Sequence, residues 1–345
     1  MNAKIPVFVF LGPTAAGKTA FLFDWFTGRD AVASAEIVSA DSMQVYRGMD
    51  IGTAKPDGAA RAALPHHLLD LRDPDEQFNA GEFVRLADEC CAEIYARGKL
   101  PVVTGGTGFY LKNFIHGLPD SPPGSESIRQ EIKRERDADG AETLYAELQK
   151  NDPEAAARIH ANDVYRIIRA LEVVRLTGKP LSAFEAENAE KKKARSQKYD
   201  FLIIGLARNR EELYARINAR VDMMFEQGLY GEVRALFEKG YTPNDPGMRA
   251  IGYREFFVAR EDDDAALGRE PDRRSHYALV PASNTEGARM MIKQNSRHYA
   301  KRQETFFKGI AQNRRFVIGP DGDRESEVKE AAASLVSAFW SGHRA

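Results

Sequence analysis

Residues 7–19 of the chain read VFVFLGPTAAGKT, an apolar run followed by a glycine-rich segment that ends in Lys18 and Thr19. The last eight residues have the G-x-x-x-x-G-K-[S/T] spacing of a phosphate-binding loop, which joins a strand to a helix. Glycines let backbone N–H groups close around phosphate oxygens, Lys18 adds a mobile positive charge, and the Thr19 hydroxyl is suited to Mg²⁺. The predicted diphosphate-binding residues are Gly12, Pro13, Thr14, Ala15, Ala16, Gly17, Lys18 and Thr19, with Thr19 also as the metal ligand. The loop alone does not specify which diphosphate it binds.

Further apolar runs at residues 36–40, 67–71, 100–104, 201–206 and 316–318 alternate with helical patterns. Near-continuous apolar strands separated by helices are typical of a parallel sheet that is covered on both faces. The predicted fold class is therefore α/β: a P-loop NTPase-like parallel sheet with helices on both faces, plus an inserted all-helical domain. Ligands of such sheets bind at the carboxyl ends of the strands, so the phosphate loop, Asp41 and the Gly105-Gly106-Thr107 turn are expected to share one cleft.

The strand pattern stops between residues 119 and 199, where helices are predicted at residues 127–137, 141–150, 154–159 and 163–177. In the last of these, Ile167, Leu171 and Val174 form an apolar stripe, and Gly178 is a stop signal. We predict a catalytic core of residues 1–120 and 199–320, a helical insertion of residues 121–198, and a C-terminal helix or tail of residues 321–345. The charged residues 261–283 are predicted to form an exposed loop.

The composition of the chain bears on nucleic-acid binding, disulfide bonding and membrane insertion. The 345 residues carry 49 basic and 51 acidic side chains, so any nucleic-acid contact must come from local basic patches. The two cysteines, Cys90 and Cys91, are adjacent and cannot form an ordinary structural disulfide with each other. No apolar stretch approaches membrane-spanning length, and the N-terminal run ends in the phosphate loop, so a cytoplasmic protein without membrane contact is expected.

Three segments near the predicted strand ends carry candidate site residues. Asp41 could position Mg²⁺, accept a proton or cap a helix, and the spacing does not decide between these roles. The Thr107 hydroxyl and neighbouring backbone N–H groups could bind a polar group, or the glycines around Thr107 could serve only a tight turn. Lys55, in Gly52-Thr53-Ala54-Lys55-Pro56, could contact phosphate or lie in a solvated turn.

Basic residues cluster in several other places. Arg249 and Arg254 flank an apolar centre and could grip phosphate or form surface salt bridges. Three basic stripes follow the helices: Arg166 with Arg169, residues 191–198, and the face of residues 289–301. Such a stripe is usually a solvated helix face, but three of them in a near-neutral chain suggest a polyanion docked between the insertion and the core.

Taken together, these motifs resemble the tRNA isopentenyltransferase family, in particular the bacterial tRNA dimethylallyltransferases. The similarity extends over about residues 5–308, with the motifs in the family's order. The matching stretches are Gly12 to Thr19, Asp41-Ser42-Met43-Gln44-Val45-Tyr46, Gly52-Thr53-Ala54-Lys55-Pro56, Pro65-His66-His67-Leu68-Leu69-Asp70, Gly105-Gly106-Thr107-Gly108-Phe109-Tyr110, Arg166-Ile167-Ile168-Arg169-Ala170-Leu171-Glu172, Ala250-Ile251-Gly252-Tyr253-Arg254 and Tyr299-Ala300-Lys301-Arg302-Gln303.

This resemblance implies transfer of a dimethylallyl group from dimethylallyl diphosphate to N6 of the adenosine just 3′ of the anticodon, in tRNAs reading codons that begin with U. It also implies Mg²⁺ as cofactor, the tRNA anticodon stem-loop as partner, and a monomeric protein. Asp41 would accept the N6 proton, Thr107 would position the diphosphate or the amino group, and Lys18 and Arg254 would stabilise the leaving diphosphate. The implied tRNA-binding residues are Asp41, Ser42, Met43, Gln44, Arg129, Tyr165, Arg166, Ile167, Ile168, Arg169, Arg249, Ala250, Ile251, Gly252, Tyr253 and Arg254.

Two alternative functions use part of the same features. A nucleotide kinase or other P-loop NTPase would explain the phosphate loop, but it leaves the insertion, the basic stripes and the Asp41 motif without a role. A non-catalytic RNA-binding protein would explain the stripes, but not the combination of Lys18, Thr19 and Asp41.

Overall fold

The computed structural model describes residues 4–118, 122, 124–186, 188–259, 276–310, 313–319 and 324–344, with the backbone alone for residues 185, 186 and 188–192. The chain divides into two compact units: Met1–Phe114 with Lys198–Ala345, and Ile115–Gln197. The second unit overlaps the segment in which the sequence pattern turns from strands to helices.

The first unit contains the strands and most of the long helices. Its strands are β1 (Ile5–Leu11), β2 (Ala35–Ser39), β3 (His66–His67), β4 (Leu100–Thr104), β5 (Tyr199–Arg208), β6 (Phe257–Ala259), β7 (Tyr277–Leu279) and β8 (Arg314–Ile318). Its helices are α1 (Lys18–Phe26), α2 (Gly58–Ala63), α3 (Ala80–Ala96), α4 (Gly108–His116, which runs into the second unit), α11 (Arg210–Glu226), α12 (Leu229–Glu238), α13 (Glu286–Lys308) and α14 (Glu325–Arg344).

Six of the strands in the described part of the chain form one sheet in the order β3-β2-β4-β1-β5-β8, and all of its neighbouring strands run parallel. This confirms the predicted α/β class. Because the strands are parallel, the phosphate loop after β1, Asp41 after β2, Gly105 after β4 and Asn209 after β5 emerge at the same edge.

Helices cover both faces of the sheet because its strands are apolar on both sides. On one face, Phe8, Phe10 and Ile204 pack with Trp25 of α1 and Trp340 of α14. On the other face, α3 lies against β1 and β4, and Phe114 of α4 packs against Tyr199 and Phe201. Within the described ranges, none of the helices combines the length and the apolar composition that a bilayer span requires.

The second unit is helical, and its helices are α5 (Glu126–Asp139), α6 (Ala141–Asn151), α7 (Pro153–Arg158), α8 (Val164–Thr177), α9 (Leu181–Ala186) and α10 (Asn188–Lys198), whose last residue belongs to the first unit. The four helices predicted between residues 127 and 177 are therefore confirmed as elements. Ile132, Leu144, Leu148 and Leu171 form the core of the unit. Asp163 caps α8 by accepting a hydrogen bond from the Arg166 N–H, and Gly178 ends α8 in the left-handed region, at φ 68°.

Two local predictions were wrong. The strand predicted at residues 67–71 ends at His67, because Leu68 and Asp70 have positive φ values of 64° and 55° that a strand cannot accommodate. The loop predicted at residues 261–283 contains β7, which pairs antiparallel with β6. The part of that loop before residue 276 lies outside the described residues.

A buried carboxylate on β2 connects β3 with the segment that joins α3 to β4. Glu36 of β2 is 4% exposed and accepts hydrogen bonds from Arg97, Lys99 and His67, at 2.6 to 2.8 Å. Burial alone raises the pKa of Glu36, but the hydrogen bonds from Arg97, Lys99 and His67 outweigh it and lower the pKa to about 2. The ionised form is therefore favoured in the folded state.

A pKa lowered from 4.5 to about 2 corresponds to about 3 kcal/mol of stabilisation. This stabilisation is present above pH 4.5 and is lost as the pH falls towards 2. We expect Glu36→Gln to lower the free energy of unfolding at neutral pH by about this amount, and its difference from wild type to shrink as acid protonates the wild-type carboxyl. Urea denaturation across this pH range measures both.

The matched control is Glu89→Gln, which removes an exposed helical ion pair with Arg85. It should change stability by less than about 0.5 kcal/mol at any of these pH values. Equal effects of the two substitutions would show that the Glu36 carboxylate is not specially stabilised.

Candidate functional site

Two cavities lie side by side at the carboxyl edge of the sheet. The larger has a volume of about 610 Å³ and includes Thr14, Lys18 and Thr19 in its lining, and the smaller has about 240 Å³. Both are lined by Thr14, Asp41, Thr53, Arg220, Met224 and Tyr299. The phosphate loop and Asp41 therefore share one site, as the parallel sheet requires.

The phosphate loop turns into α1 at Gly17, which has a φ of 102° and is the residue preceding the helix. Lys18 is the first residue of α1, and its Nζ donates to the carbonyls of Gly12 and Pro13 at 2.7 and 3.0 Å. Burial and, less strongly, the charge of Arg220 lower the pKa of Lys18 to about 8, against the opposing effect of Asp41. An anion bound at the loop would relieve the repulsion between the two cations and favour protonated Lys18.

Three arginines, one at the end of β5 and two on α11, donate hydrogen bonds to residues of the phosphate loop. Arg208 Nε donates to the Ala16 carbonyl at 2.7 Å, and Arg216 Nε donates to the Ala15 carbonyl at 2.9 Å. Arg220 Nη1 donates to the Thr14 hydroxyl at 2.8 Å and lines both cavities. The sequence prediction missed all three arginines. The i, i+4 spacing of Arg216 and Arg220, beside the apolar row of α11, was the available signal.

Asp41 has two distinct carboxylate oxygens. Oδ1 accepts from the N–H groups of Met43 and Gln44 at 2.9 and 3.3 Å, so it closes the turn after β2. Asp41 also lines both cavities, and Oδ2 is the oxygen near Gly106: a Cβ atom placed on Gly106 would lie 3.5 Å from it. The helix-cap alternative is therefore wrong, because a turn rather than a helix follows Asp41, and only Oδ1 is used to close that turn.

Thr107 connects the second and fourth strand ends. Its hydroxyl accepts from the Ser42 N–H at 2.9 Å and donates to Ser42 Oγ at 3.1 Å. The Thr107 N–H donates to the Ala40 carbonyl at 3.0 Å. Gly105 packs so tightly against Ala40 that a Cβ atom there would lie 2.1 Å from the Ala40 oxygen. The glycine-rich turn is therefore sterically required, and it places Thr107 beside Asp41 and Ser42.

Gln303 and Tyr299 of α13 reach into the same site. Gln303 is buried, accepts from the Thr14 N–H at 2.9 Å and donates to the Gly106 carbonyl at 2.7 Å, so it joins the phosphate loop to the glycine-rich turn. Tyr299 donates to the same carbonyl at 3.2 Å. Burial and, less strongly, Asp41 raise the pKa of Tyr299 to about 12. Neither was predicted as a site residue, although both lie in a stretch that carried the family resemblance.

Both alternatives left open for Lys55 were wrong. Its side chain is fully buried, and Nζ donates to the Tyr46 carbonyl, to Asp50 and to Asp70 within 2.6 to 2.7 Å. Lys55 is thus neither a phosphate ligand nor a solvated residue. It fixes the loop that brings Thr53 to the cavities.

The predicted tRNA-binding segment at residues 249–254 divides into buried and exposed parts. Ala250, Gly252 and Tyr253 are buried, and the Tyr253 hydroxyl donates to Glu232 at 2.6 Å. Arg249 donates to the Asn244 carbonyl, and half-exposed Arg254 pairs with Glu255. Ile251 lines the smaller cavity. Arg220, rather than Arg254, is the arginine that the structure places in the lining of both cavities.

In the helical unit, α8 carries five of the predicted tRNA-binding residues, Tyr165 to Arg169, and α5 carries Arg129. Ile167 and Ile168 are buried and have a packing role. Tyr165 is 82% exposed, and Arg166 is exposed beside Asp163. Arg129 and Arg169 instead donate to Glu172, which is fully buried and also accepts a hydrogen bond from the Ser125 N–H.

The basic face of α13 is largely paired within the protein. Arg289 and Lys293 pair with Asp222 of α11, and Arg297 donates to Asn218. This stripe therefore holds α11 and α13 together, which the sequence pattern did not reveal. In the stretch of residues 191–198, Lys191 and Lys192 lie outside the described side chains.

The residues at the loop fit a Mg²⁺ ion shared with a diphosphate. Thr19 and Asp41 both line the larger cavity and offer oxygen ligands, which Mg²⁺ prefers. Among the described residues, no three histidine, cysteine, aspartate or glutamate side chains are grouped as a metal cage. This donor set is consistent with an ion that takes most of its ligands from substrate oxygens and water.

The sheet and its phosphate loop define an α/β protein with the P-loop NTPase-like fold. The IPP transferase family model matches residues 44–310. The tRNA dimethylallyltransferase 2 of Geotalea uraniireducens is 45% identical over 88% of this chain and 89% of its own length, and the tRNA dimethylallyltransferase of Symbiobacterium thermophilum is 41% identical over 98% and 97%. The chain therefore belongs to the IPP transferase family and is a transferase.

Solved structures agree with this assignment. The full-length tRNA isopentenylpyrophosphate transferase of Bacillus halodurans is 35% identical, with a TM-score of 0.62 over 99% of this chain and 98% of that chain. A eukaryotic dimethylallyltransferase acting on tRNA has a TM-score of 0.72 over 98% of this chain and 80% of that chain. It is 24% identical, so it supports the fold alone.

The lowered pKa of Lys18 predicts how anion binding depends on pH. Its positive charge is present below about pH 8 in the free protein and is lost as the pH rises through that value. We expect Lys18→Gln to weaken binding of inorganic pyrophosphate about 10- to 100-fold near neutral pH. The ratio of the two affinities should then fall as the pH rises past about 8. Calorimetric titration of both proteins over this range measures it, and a constant ratio would contradict the assignment.

Proposed function

We propose that the protein transfers a dimethylallyl group from dimethylallyl diphosphate to N6 of the adenosine just 3′ of the anticodon, in tRNAs that read codons beginning with U. The observation that supports this most strongly is that Asp41 and the phosphate loop line the same two cavities. A prenyl diphosphate needs a site that binds its phosphate oxygens, and a weakly nucleophilic amino group needs a base beside it. The names of the relatives indicate transfer of a dimethylallyl group to tRNA.

In this proposal the diphosphate binds at the phosphate loop. Lys18 and Arg220 both line the larger cavity, and they stabilise the charge that grows on the diphosphate as the allylic C–O bond breaks. Apolar side chains in the larger cavity, including Leu22, Ile37 and Met224, offer a surface for the five-carbon chain. Arg254, proposed from the sequence for this charge, would have to leave its pair with Glu255 to take part.

Asp41 is the proposed general base. The adenine amino lone pair is delocalised into the ring, so N6 becomes an effective nucleophile only if its proton is removed as the new C–N bond forms. The Oδ1 hydrogen bonds fix the orientation of the Asp41 carboxylate, which leaves Oδ2 to accept the proton. Thr107 lines neither cavity, so its proposed part in positioning the diphosphate or the amino group is exerted through Ser42, which lines the smaller cavity.

Mg²⁺ is proposed as the cofactor, with Thr19 as the protein residue that would hold it. When bound, it would neutralise charge on the diphosphate oxygens. The chain's own part is to present the Thr19 hydroxyl at the start of α1, where the helix dipole also favours an anion.

The tRNA is proposed to contact the exposed side chains of α8. Tyr165 offers a ring for stacking on an unpaired base, and Arg166 offers a charge for phosphate. The target adenosine must leave its stack to reach Asp41, which costs less in a single-stranded anticodon loop. We further propose that the protein acts as a cytoplasmic monomer.

A direct assay tests this function. The protein is incubated with Mg²⁺, radiolabelled dimethylallyl diphosphate and an anticodon stem-loop with adenosine 3′ of the anticodon, and label in RNA is measured. A stem-loop with guanosine at that position is the control and should stay unlabelled. ATP hydrolysis without prenyl transfer would favour the NTPase alternative, which the family assignment does not support.

Asp41→Asn tests the base directly. The amide oxygen can still accept the Met43 and Gln44 hydrogen bonds, so the turn is kept, but the side chain no longer accepts a proton at neutral pH. We expect kcat to fall by about 10²- to 10⁴-fold, with tRNA affinity little changed. Asp41→Ala should also disturb the turn. Near wild-type turnover of Asp41→Asn would remove Asp41 as the base.

Arg166→Gln tests the proposed tRNA contact. Loss of one phosphate contact should weaken stem-loop binding several-fold and reduce the slope of log Kd against log salt by about 1. Fluorescence anisotropy between about 50 and 200 mM KCl measures this slope. The control is Arg175→Gln, on the same helix, where Arg175 pairs with Glu131, Glu135 and Glu147. An unchanged slope for Arg166→Gln would argue against contact with RNA through this residue.

A further inference from the structure

A buried arginine lies behind the phosphate loop. Arg208 is the last residue of β5, its side chain is fully buried, and its Nε donates to the Ala16 carbonyl at 2.7 Å. It is not among the described residues that line the two cavities. The direct ligand-binding role proposed for Lys18 and Arg220 is therefore not available to Arg208, and its buried charge needs another explanation.

The other two nitrogens of Arg208 reach two separate helices. Nη1 donates to Glu212 of α11, and Nη2 donates at 2.6 Å to Glu325, the first residue of α14. A single guanidinium thus ties the phosphate loop, α11 and the C-terminal helix together. Its charge also balances two carboxylates that would otherwise stand beside an anion-binding loop.

The loop backbone is shaped to sit against this guanidinium. Gly17 has a left-handed φ of 102°, and a Cβ atom there would lie 3.2 Å from Arg208 Nη2. In a trans peptide the C=O and the following N–H point in opposite directions. Because Arg208 holds the Ala16 carbonyl on its own side, the Gly17 N–H points away from Arg208, and Gly17 lines the larger cavity.

We infer that Arg208 is a positioning residue for donor binding, and that the C-terminal helix takes part in donor binding through Glu325. Arg208 orients the Ala16–Gly17 peptide and neutralises Glu212 and Glu325. Glu325 in turn keeps the guanidinium from turning away from the loop. This inference rests on the proposed function, because it assumes that the loop binds a diphosphate.

α14 offers a matched control on the same helix. Lys329 pairs with Asp24 of α1, and the Lys329 carbonyl accepts from Trp25 Nε1 at 3.1 Å. Lys329→Gln removes the ion pair without touching Arg208 or the loop. A purely structural α14 would make Lys329→Gln and Glu325→Gln equivalent.

The experiment is calorimetric titration with inorganic pyrophosphate and Mg²⁺, using the full chain. Relative to wild type, Arg208→Gln should bind about 10- to 30-fold more weakly, because it loses the carbonyl contact and exposes the loop to two unbalanced carboxylates. Arg208→Lys, which restores charge but not the fork of three hydrogen bonds, should be intermediate. Glu325→Gln should bind about threefold more weakly, and Lys329→Gln should match wild type. The KM for tRNA should change in none of them.

The outcomes distinguish a failure of the proposed diphosphate site from a failure of the positioning role of Arg208. If wild type does not bind pyrophosphate, the diphosphate site and this inference both fail. If wild type binds but Arg208→Gln binds equally well, only the positioning role fails. If Lys329→Gln weakens binding as much as Glu325→Gln, α14 acts through its general docking, and the specific role of Glu325 is overturned.

Hydrogen exchange gives a second readout, which remains usable if Arg208→Gln does not fold. Coupling between two sites is reciprocal, so pyrophosphate should slow amide exchange in the first turns of α14. The protection should be seen in wild type and in Lys329→Gln, and be lost in Glu325→Gln. Equal protection in Glu325→Gln and wild type would overturn the coupling.

Discussion

The site depends on holding several positive groups close together around a phosphate loop that is partly buried. Burial lowers the pKa of both Lys18 and Arg220, and the charge of Arg220 lowers that of Lys18 further. Asp41 partly offsets these shifts by its negative charge. An anionic ligand at the loop would therefore favour the charged forms of both side chains.

The support for this arrangement comes from carbonyl oxygens as much as from amides. Arginines from β5 and α11 hold the carbonyls of Ala15 and Ala16, while Gln303 links the Thr14 N–H to the Gly106 carbonyl. These contacts fix the loop relative to the turn that carries Thr107. A base and a diphosphate can thus be held in register by elements that lie far apart along the chain.

Much of the fold followed from local patterns. The apolar runs predicted a parallel sheet because strands buried on both faces need apolar residues throughout, and the helical stripe of Ile167 and Leu171 predicted α8. The predictions that were wrong concerned backbone conformation and ion pairs between side chains. Positive φ at Leu68 and Asp70 ends β3 early, and Lys55 is buried because Asp50 and Asp70 fold back onto it. Neither effect leaves a signal in residue spacing.

The sequence by itself determined the phosphate loop, the strands that Asp41 and Thr107 follow, and the family, because each was recognised from short motifs of neighbouring residues. The tertiary structure decided which charged side chains pair within the protein and which reach the site. It paired the basic face of α13 with α11, buried Tyr253, and brought Arg220 and Gln303 to the site. Long-range contacts of this kind depend on how helices pack on the sheet, so charge and spacing along one helix could not predict them.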